Sequence, residues 1–97
     1  MEQPNPIPND STPVWELVLQ TVTDPDVRAD MVARDQLGRA RYGVPLQAYN
    51  GRGALQDAYE EALDLAVYLR QAIEEGDDVN DAYCTALELL PALRRLL

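Results

Sequence analysis

Four carboxylates, Asp57, Glu60, Glu61 and Asp64, fall within eight residues of the stretch DAYEEALDLAVYL, which carries no other charge. On a helix turning about 100° per residue, Asp57, Glu61 and Asp64 fall close to one line, and Glu60 stands one turn before Asp64 on the adjoining side. Carboxylates set side by side repel one another unless water, arginine or a cation offsets the charge. Two readings are open. Acids are electrostatically favoured in the first turns of a helix, and a solvated acidic side is the simpler reading. Against it, a solvated helix normally mixes signs to gain i,i+4 pairs, and here the first cation after Arg52 is Arg70. The other reading is a metal face made of Asp57, Glu60, Glu61 and Asp64. The chain has no histidine and one cysteine, Cys84, so the usual zinc sets are excluded. An all-carboxylate donor set points to Mg²⁺, with Mn²⁺ as the alternative.

The cations suit phosphate. All eight basic residues are arginines, and five of them, Arg28, Arg34, Arg39, Arg41 and Arg52, lie over residues 28–52. A guanidinium matches the phosphate fork, which makes Arg34, Arg41 and Arg52 candidate phosphate contacts, with Arg39 an alternative. The formal charge of −9 and pI near 4.2 argue against general binding to nucleic acid, since covering a phosphate backbone needs a cationic surface. No GxxxxGK[ST] cradle is present. Gly51 and Gly53 flank Arg52 and could bring backbone near phosphate, although a turn that needs small residues explains them more simply. Tyr42 and Tyr49 flank the proline-containing loop as candidate base contacts; packed tyrosines with an exposed hydroxyl are the commoner case. Tyr68 follows the acids at helical spacing and can place its hydroxyl beside them. Cys84 reads as a small buried filler, and Trp15 as a docking anchor for the helix that carries it.

The elements that must position these groups read as helices. Residues 1–11 hold three prolines and two asparagines, the composition of a flexible arm. Residues 12–97 read as a single helical domain. Thr12 as a cap with Pro13 at the first helical position opens a short helix bearing Trp15, Val18 and Val22. Asp24 and Pro25 repeat the device and start a helix that runs to about Tyr42, where Gly43 and Pro45 end it. Residues 43–53, GVPLQAYNGRG, read as an ordered loop. The most regular pattern follows over residues 54–75, with Leu55, Tyr59, Ala62, Ala66, Leu69 and Ile73 as a packing seam. After Gly76, with Asp77 or Asp78 as cap, a last helix carries Val79, Ala82 or Tyr83, Ala86, Leu90 and Leu93 inward, and Pro91 should kink or shorten it. The fold class is all-α: two longer helices around a Gly/Pro loop, a short helix before and another after. The extent of the 55–73 seam in so small a chain predicts an oligomeric bundle.

With those elements in place, the run Glu60-Glu61-Ala62-Leu63-Asp64, an EExxD motif followed by LAVYL, and the earlier Arg41-Tyr42-Gly43 together resemble the MazG-like all-helical nucleotide pyrophosphohydrolases, particularly small phage-type members. The resemblance spans roughly residues 27–75. It implies a helical homo-dimer or homo-tetramer, Mg²⁺ on clustered carboxylates, and hydrolysis of a nucleoside triphosphate to the monophosphate and pyrophosphate. On that likeness Glu61 and Asp64 match metal-binding positions, Glu60 is the preceding acid, and Glu60, Glu61 and Asp64 form the catalytic group. Relatives of this kind carry an earlier EExxE motif, and nothing over residues 24–42 spells it. Asp30 or Asp35 could supply a ligand across the helix pair, while Asp35 could equally pair with Arg34 or Arg39. A replaced motif, ligands from another subunit and a catalytically silent relative all remain open.

The rival class is a non-enzymatic acidic helical protein that binds a basic partner or serves as an accessory factor. No apolar run reaches the length of a membrane span, and residues 1–10 show neither a positive start nor an apolar core of a signal, so the expected location is cytoplasmic, host cytoplasm if the chain is phage-encoded.

Overall fold

The computed structural model describes residues 2–97 and is all-helical, with α1 at Val14–Leu19, α2 at Pro25–Tyr42, α3 at Ala54–Glu74 and α4 at Asn80–Leu96. Among the described residues no strand forms, and Pro13 and Gln47 make an isolated antiparallel bridge. The chain divides into two compact units, Met1–Arg52 and Gly53–Leu97. Among the described residues no helix is long and apolar enough to cross a membrane.

In the first unit α1 packs on α2. The start of α2 follows from its sequence: Asp24 Oδ1 accepts from the Asp26 and Val27 amides at 2.9 and 3.0 Å, and Pro25 occupies the first turn, where a missing N–H leaves nothing unsatisfied. Its end is equally local. Gly43 takes the left-handed conformation, φ 76°, and donates its N–H to Arg39 O at 2.8 Å. Arg28 ties α2 to what precedes it by donating Nη1 to the carbonyl of Leu19, the last residue of α1, and to that of Val22 in the connection that follows. The start of α1 differs from expectation: the helix begins at Val14, Pro13 is the capping position, and no side chain caps it. Instead the Val14 amide donates to Leu46 O at 2.8 Å, so a loop carbonyl takes the role expected of Thr12.

Residues 2–13 form no helix, yet they are tied along the 46–52 loop by hydrogen bonds from Ile7, Asn9 and Ser11 onward. Tyr49 sits at φ 57°, a backbone region that bulky residues rarely adopt, and Gly51, two residues on, has φ 87°. A Cβ on Gly51 would stand 3.6 Å from Ile7 Cδ1, so the glycine answers to backbone conformation before space.

The second unit is the α3–α4 pair. Ala62 and Ala66 on α3 and Ala86 on α4 are its buried apolar residues, with Tyr59, Leu69, Ile73, Tyr83, Leu90 and Leu93 half-buried around them, as the seam predicts. Leu55, at the mouth of the seam, is exposed instead, because it lies in the first turn of α3. Cys84 is also exposed, against the expected buried filler; it follows Tyr83 and so stands about 100° off the buried face of α4. Neither Asp77 nor Asp78 caps α4: Val79 holds the capping position without a side-chain bond. The helix also continues through Pro91 to Leu96. Proline there removes only the amide that would reach residue 87, and the loss is tolerated one turn and a half from the helix end.

Asp24→Ala should destabilise the fold by about 1 kcal/mol, because two amides lose their acceptor at once. Urea unfolding followed by far-UV circular dichroism measures it, and an unchanged midpoint would show that α2 does not depend on its cap.

Candidate functional site

The acids sit as the helical wheel demands. Glu61 and Asp64 are exposed and, at about 100° per residue, lie roughly 120° and 180° around α3 from the midpoint of the buried Ala62 and Ala66, so Asp64 is opposite that face and Glu61 well to its side. Asp57 is half-buried on the same line in the first turn of the helix. Glu60, on the adjoining side, accepts a hydrogen bond from Gln56 Nε2 at 3.0 Å, an i,i+4 contact. Among the described residues no ion pair or hydrogen bond engages the Glu61 or Asp64 carboxylate. The single cation further along α3, Arg70, is spent on Glu74 at 2.6 Å and lies over the Tyr83 ring at 5.9 Å. Tyr68 shares the acidic line and is 66% exposed; its hydroxyl makes no hydrogen bond to either acid.

The donor chemistry can be tested against a metal. Among the described residues no three Asp, Glu, Cys or His side chains come together as a group that could hold an ion. A dedicated all-protein cage of the kind calcium or zinc prefers takes more protein ligands than such a face of one helix brings together. Magnesium asks for less: it is held by one or two carboxylates, completing its shell with water and substrate phosphate. Glu61 and Asp64, exposed one turn apart, fit that smaller requirement.

In the first unit the arginines divide by what already holds them. Arg39 Nε pairs with Asp35 Oδ1 at 2.9 Å, with the Asp35 side chain 17% exposed, which realises the i,i+4 alternative for Asp35 and commits both groups. Arg34 is exposed and makes no ion pair among the described residues, as is true of Asp30. Arg41 stands 5.2 Å from the centre of the Tyr42 ring, a cation–π arrangement at the exposed end of α2. Arg52 donates Nη1 to the Pro4 carbonyl at 2.8 Å, and its amide donates to Asn50 Oδ1 at 3.1 Å. Tyr49, at 93% exposure, is presented at the tip of the loop.

Two residues at the base of this loop escape a reading of composition. Gln47 and Asn50 are 7% and 6% exposed and are the buried polar side chains among the described residues. Gln47 Nε2 donates to the Asn9 and Ser11 carbonyls at 2.6 and 2.8 Å while its Oε1 accepts from the Asn9 amide at 3.1 Å. Asn9 Nδ2 answers with bonds to the Ala48 and Tyr49 carbonyls at 2.8 and 3.1 Å. The Asn50-Gly51 pair does announce a turn in the sequence. Nothing local announces that Gln47 will meet residues almost forty positions earlier.

Comparison with protein-family models, curated proteins and solved structures gave no match to this chain.

Proposed function

We propose that the chain is a Mg²⁺-dependent nucleoside triphosphate pyrophosphohydrolase, of the kind its EExxD run resembles. One observation carries the reading: Glu61 and Asp64 are exposed, uncompensated by any arginine, and a single turn apart on the face of α3 that α4 leaves open. A bound Mg²⁺ supplies neutralisation of the triphosphate charge. Glu61 and Asp64 are the acids that hold it, and Asp57 and Glu60 extend the negative field along the same helix. Arg34, Arg41 and Arg52 are the cations assigned to phosphate oxygens, each as a fork donor that fixes orientation. Arg39 drops from that set because Asp35 already neutralises it. Tyr49 and Tyr42 are the exposed aromatic faces assigned to the base. The products of attack at the α-phosphorus are the monophosphate and pyrophosphate.

A second reading is favoured by a different observation, the lack of any three-acid group among the described residues. On it the chain is a catalytically silent relative whose acidic helix, in a chain of net charge −9, binds a basic protein partner.

Self-association is expected on either reading, from the size of the chain and the extent of the 55–73 seam. Among the described residues no large side chain is fully buried, and Leu63, Leu65, Val67, Leu87 and Leu89 are exposed on α3 and α4. A buried methylene contributes about 0.8 kcal/mol, so three buried alanines leave the helix pair short of stabilising area that a second copy can supply. Sedimentation at micromolar concentration should show a dimer or tetramer, and a clean monomer there defeats the oligomer.

Millimolar Mg²⁺ or Mn²⁺ should raise the melting temperature of the wild type, since an ion that binds the folded carboxylates better than the unfolded ones stabilises by mass action. The Glu61→Gln, Asp64→Asn double variant should lose most of that increment. Equal increments in both proteins would identify general screening in place of a site.

The decisive measurement is a panel of ribo- and deoxyribonucleoside triphosphates with either metal, separated by chromatography so that monophosphate plus pyrophosphate is distinguished from diphosphate plus phosphate. The expected result is pyrophosphate release from at least one of them, and Glu61→Gln should lower turnover on the order of 100-fold without unfolding the chain. No hydrolysis by an assembled wild type hands the chain to the silent-relative reading.

A further inference from the structure

Each helix of the second unit carries more apolar pattern than its neighbour in the pair uses. At heptad spacing α3 has Ala58, Leu65 and Ala72, and α4 has Ala82, Leu89 and Leu96. At about 100° per residue, Leu65 lies roughly 80° around α3 from the midpoint of the buried Ala62 and Ala66, and Leu89 roughly 60° around α4 from the buried Ala86. Both turns have the same sense along their own helix. The connection over residues 75–79 is short and the packed helices are antiparallel, so the two sets end on one side of the pair. They are also level: Ala58 and Leu96, Leu65 and Leu89, and Ala72 and Ala82 are each equally distant in sequence from Asp77. The result is an apolar flank of three layers, with Leu65, Leu89 and Leu96 at 47%, 44% and 64% exposure. We propose that a second copy of the chain docks on this flank, about a two-fold axis that crosses the helices at the level of Leu65 and Leu89.

Charge favours that occupant. The six positions carry none, whereas two chains of net charge −9 that met by the outer face of α3 would set acid against acid. The opposite flank does not offer the same surface. At the same spacing it has Gln56, Leu63 and Arg70 on α3 and Asn80, Leu87 and Arg94 on α4, so the groove there is apolar at its centre only. Layer volume fixes the axis. It sets the Ala58–Leu96 layer of one copy on the Ala72–Ala82 layer of the other, with Leu96 over Ala82, and sets the Leu65–Leu89 layer on itself. Both end layers then hold the same side chains, and large residues meet small ones, as close packing requires. The repeat of seven on both helices suits the shallow crossing angle of a four-helix bundle. The size is sufficient as well: a helix pair about 25 Å long and about 20 Å across presents, once its relief is counted, on the order of the ~800 Å² per partner found in stable interfaces.

The same axis lays α3 antiparallel on α3 of the second copy. Glu61, at the rim of the flank, then comes within one residue of level with Tyr68 of the second copy. Among the described residues the Glu61 carboxylate has no hydrogen-bond partner and the Tyr68 hydroxyl makes no bond to the acids. Across the rim that hydroxyl can donate to the carboxylate and leave its remaining lone pairs open to a cation, which positions Glu61 without consuming it. This contact acquires a catalytic sense only with the function proposed above; the docking face stands without it.

The test uses the full chain. In a Cys84→Ser background, Leu65→Cys should oxidise to a disulfide-linked dimer, because the axis sets position 65 of the two copies against each other. Leu63→Cys in that background, on the opposite flank, should run as a monomer on a denaturing gel. Leu89→Glu should keep its helical circular dichroism and raise the dimer dissociation constant on the order of 100-fold in sedimentation, since an unpaired carboxylate enters a dry contact. Leu87→Glu should leave the dimer intact. A monomeric wild type, a dimer lost in Leu87→Glu and kept in Leu89→Glu, or a cross-link through position 63 in place of 65 overturns the proposal. If Leu89→Glu does not fold, the Leu65→Cys cross-link decides alone. None of these readouts involves nucleotide hydrolysis, so failure of the docking face and failure of the catalytic reading are told apart.

Discussion

The second unit depends on small side chains meeting across two helices. Ala62 and Ala66 on α3 and Ala86 on α4 are buried, and every larger residue on the seam is left partly open. Alanine at these points allows the helix axes to come close, which puts Tyr59, Leu69, Ile73, Tyr83, Leu90 and Leu93 along the margins of the contact. Because Ala62 and Ala66 face α4, helical geometry leaves no choice about Glu61 and Asp64: they point out. The placement of the acids is therefore a by-product of the packing, and a substitution that rotated α3 would move them together.

The first unit is organised by a different force. Its α2 has no buried residue, and Val27, Val32 and Leu37 are exposed. Order comes from directed bonds at its ends: the Asp24 cap, the Arg28 bonds to Leu19 and Val22, the Gly43 turn, and the ladder between the arm and the loop. Such a unit has low local resistance to opening, since hydrogen bonds open to water readily where little apolar area is lost with them. That is consistent with the loop, and not a helix, carrying Tyr49 in its strained conformation.

The difference between the units explains what could be read from the sequence. The limits of α2, its cap and its terminating glycine were legible because each is decided by residues within one turn of the boundary. The α3 seam was legible because periodic apolar residues state which face is buried. The acidic line followed from the same period. What stayed hidden is long-range and polar. The pairing of Asn9 with the loop 39 and 40 positions later has no period and no composition. The failed cap at Thr12 has a similar origin, because the Val14 amide goes to the Leu46 carbonyl, while α4 has Val79 at its capping position and no side-chain cap. The exposed Cys84 was open to derivation, since its place one residue after Tyr83 turns it off the seam.

The flanks of the acidic line bear on how α3 is used. Leu65 lies on one side of Asp64 and Leu63 and Val67 on the other, and these residues are 47%, 37% and 66% exposed. A helix that merely turned its acids to water would gain from lysine, glutamine or arginine at such positions, which stay solvated and pair with the carboxylates. Leu63 and Val67 line a groove with Tyr83, Leu87 and Leu90 of α4, so part of this apolar flank belongs to the helix pair itself. Covering the leucines alone would strand the acids in a dry setting, at a penalty no burial of three aliphatic side chains repays. The two features are compatible only if the cover leaves an opening over Glu61 and Asp64, or carries the cations that neutralise them. The apolar flanks and the acidic line are thus one constraint: a surface laid on this face of α3 would have to be apolar at its edges and cationic or open at its centre.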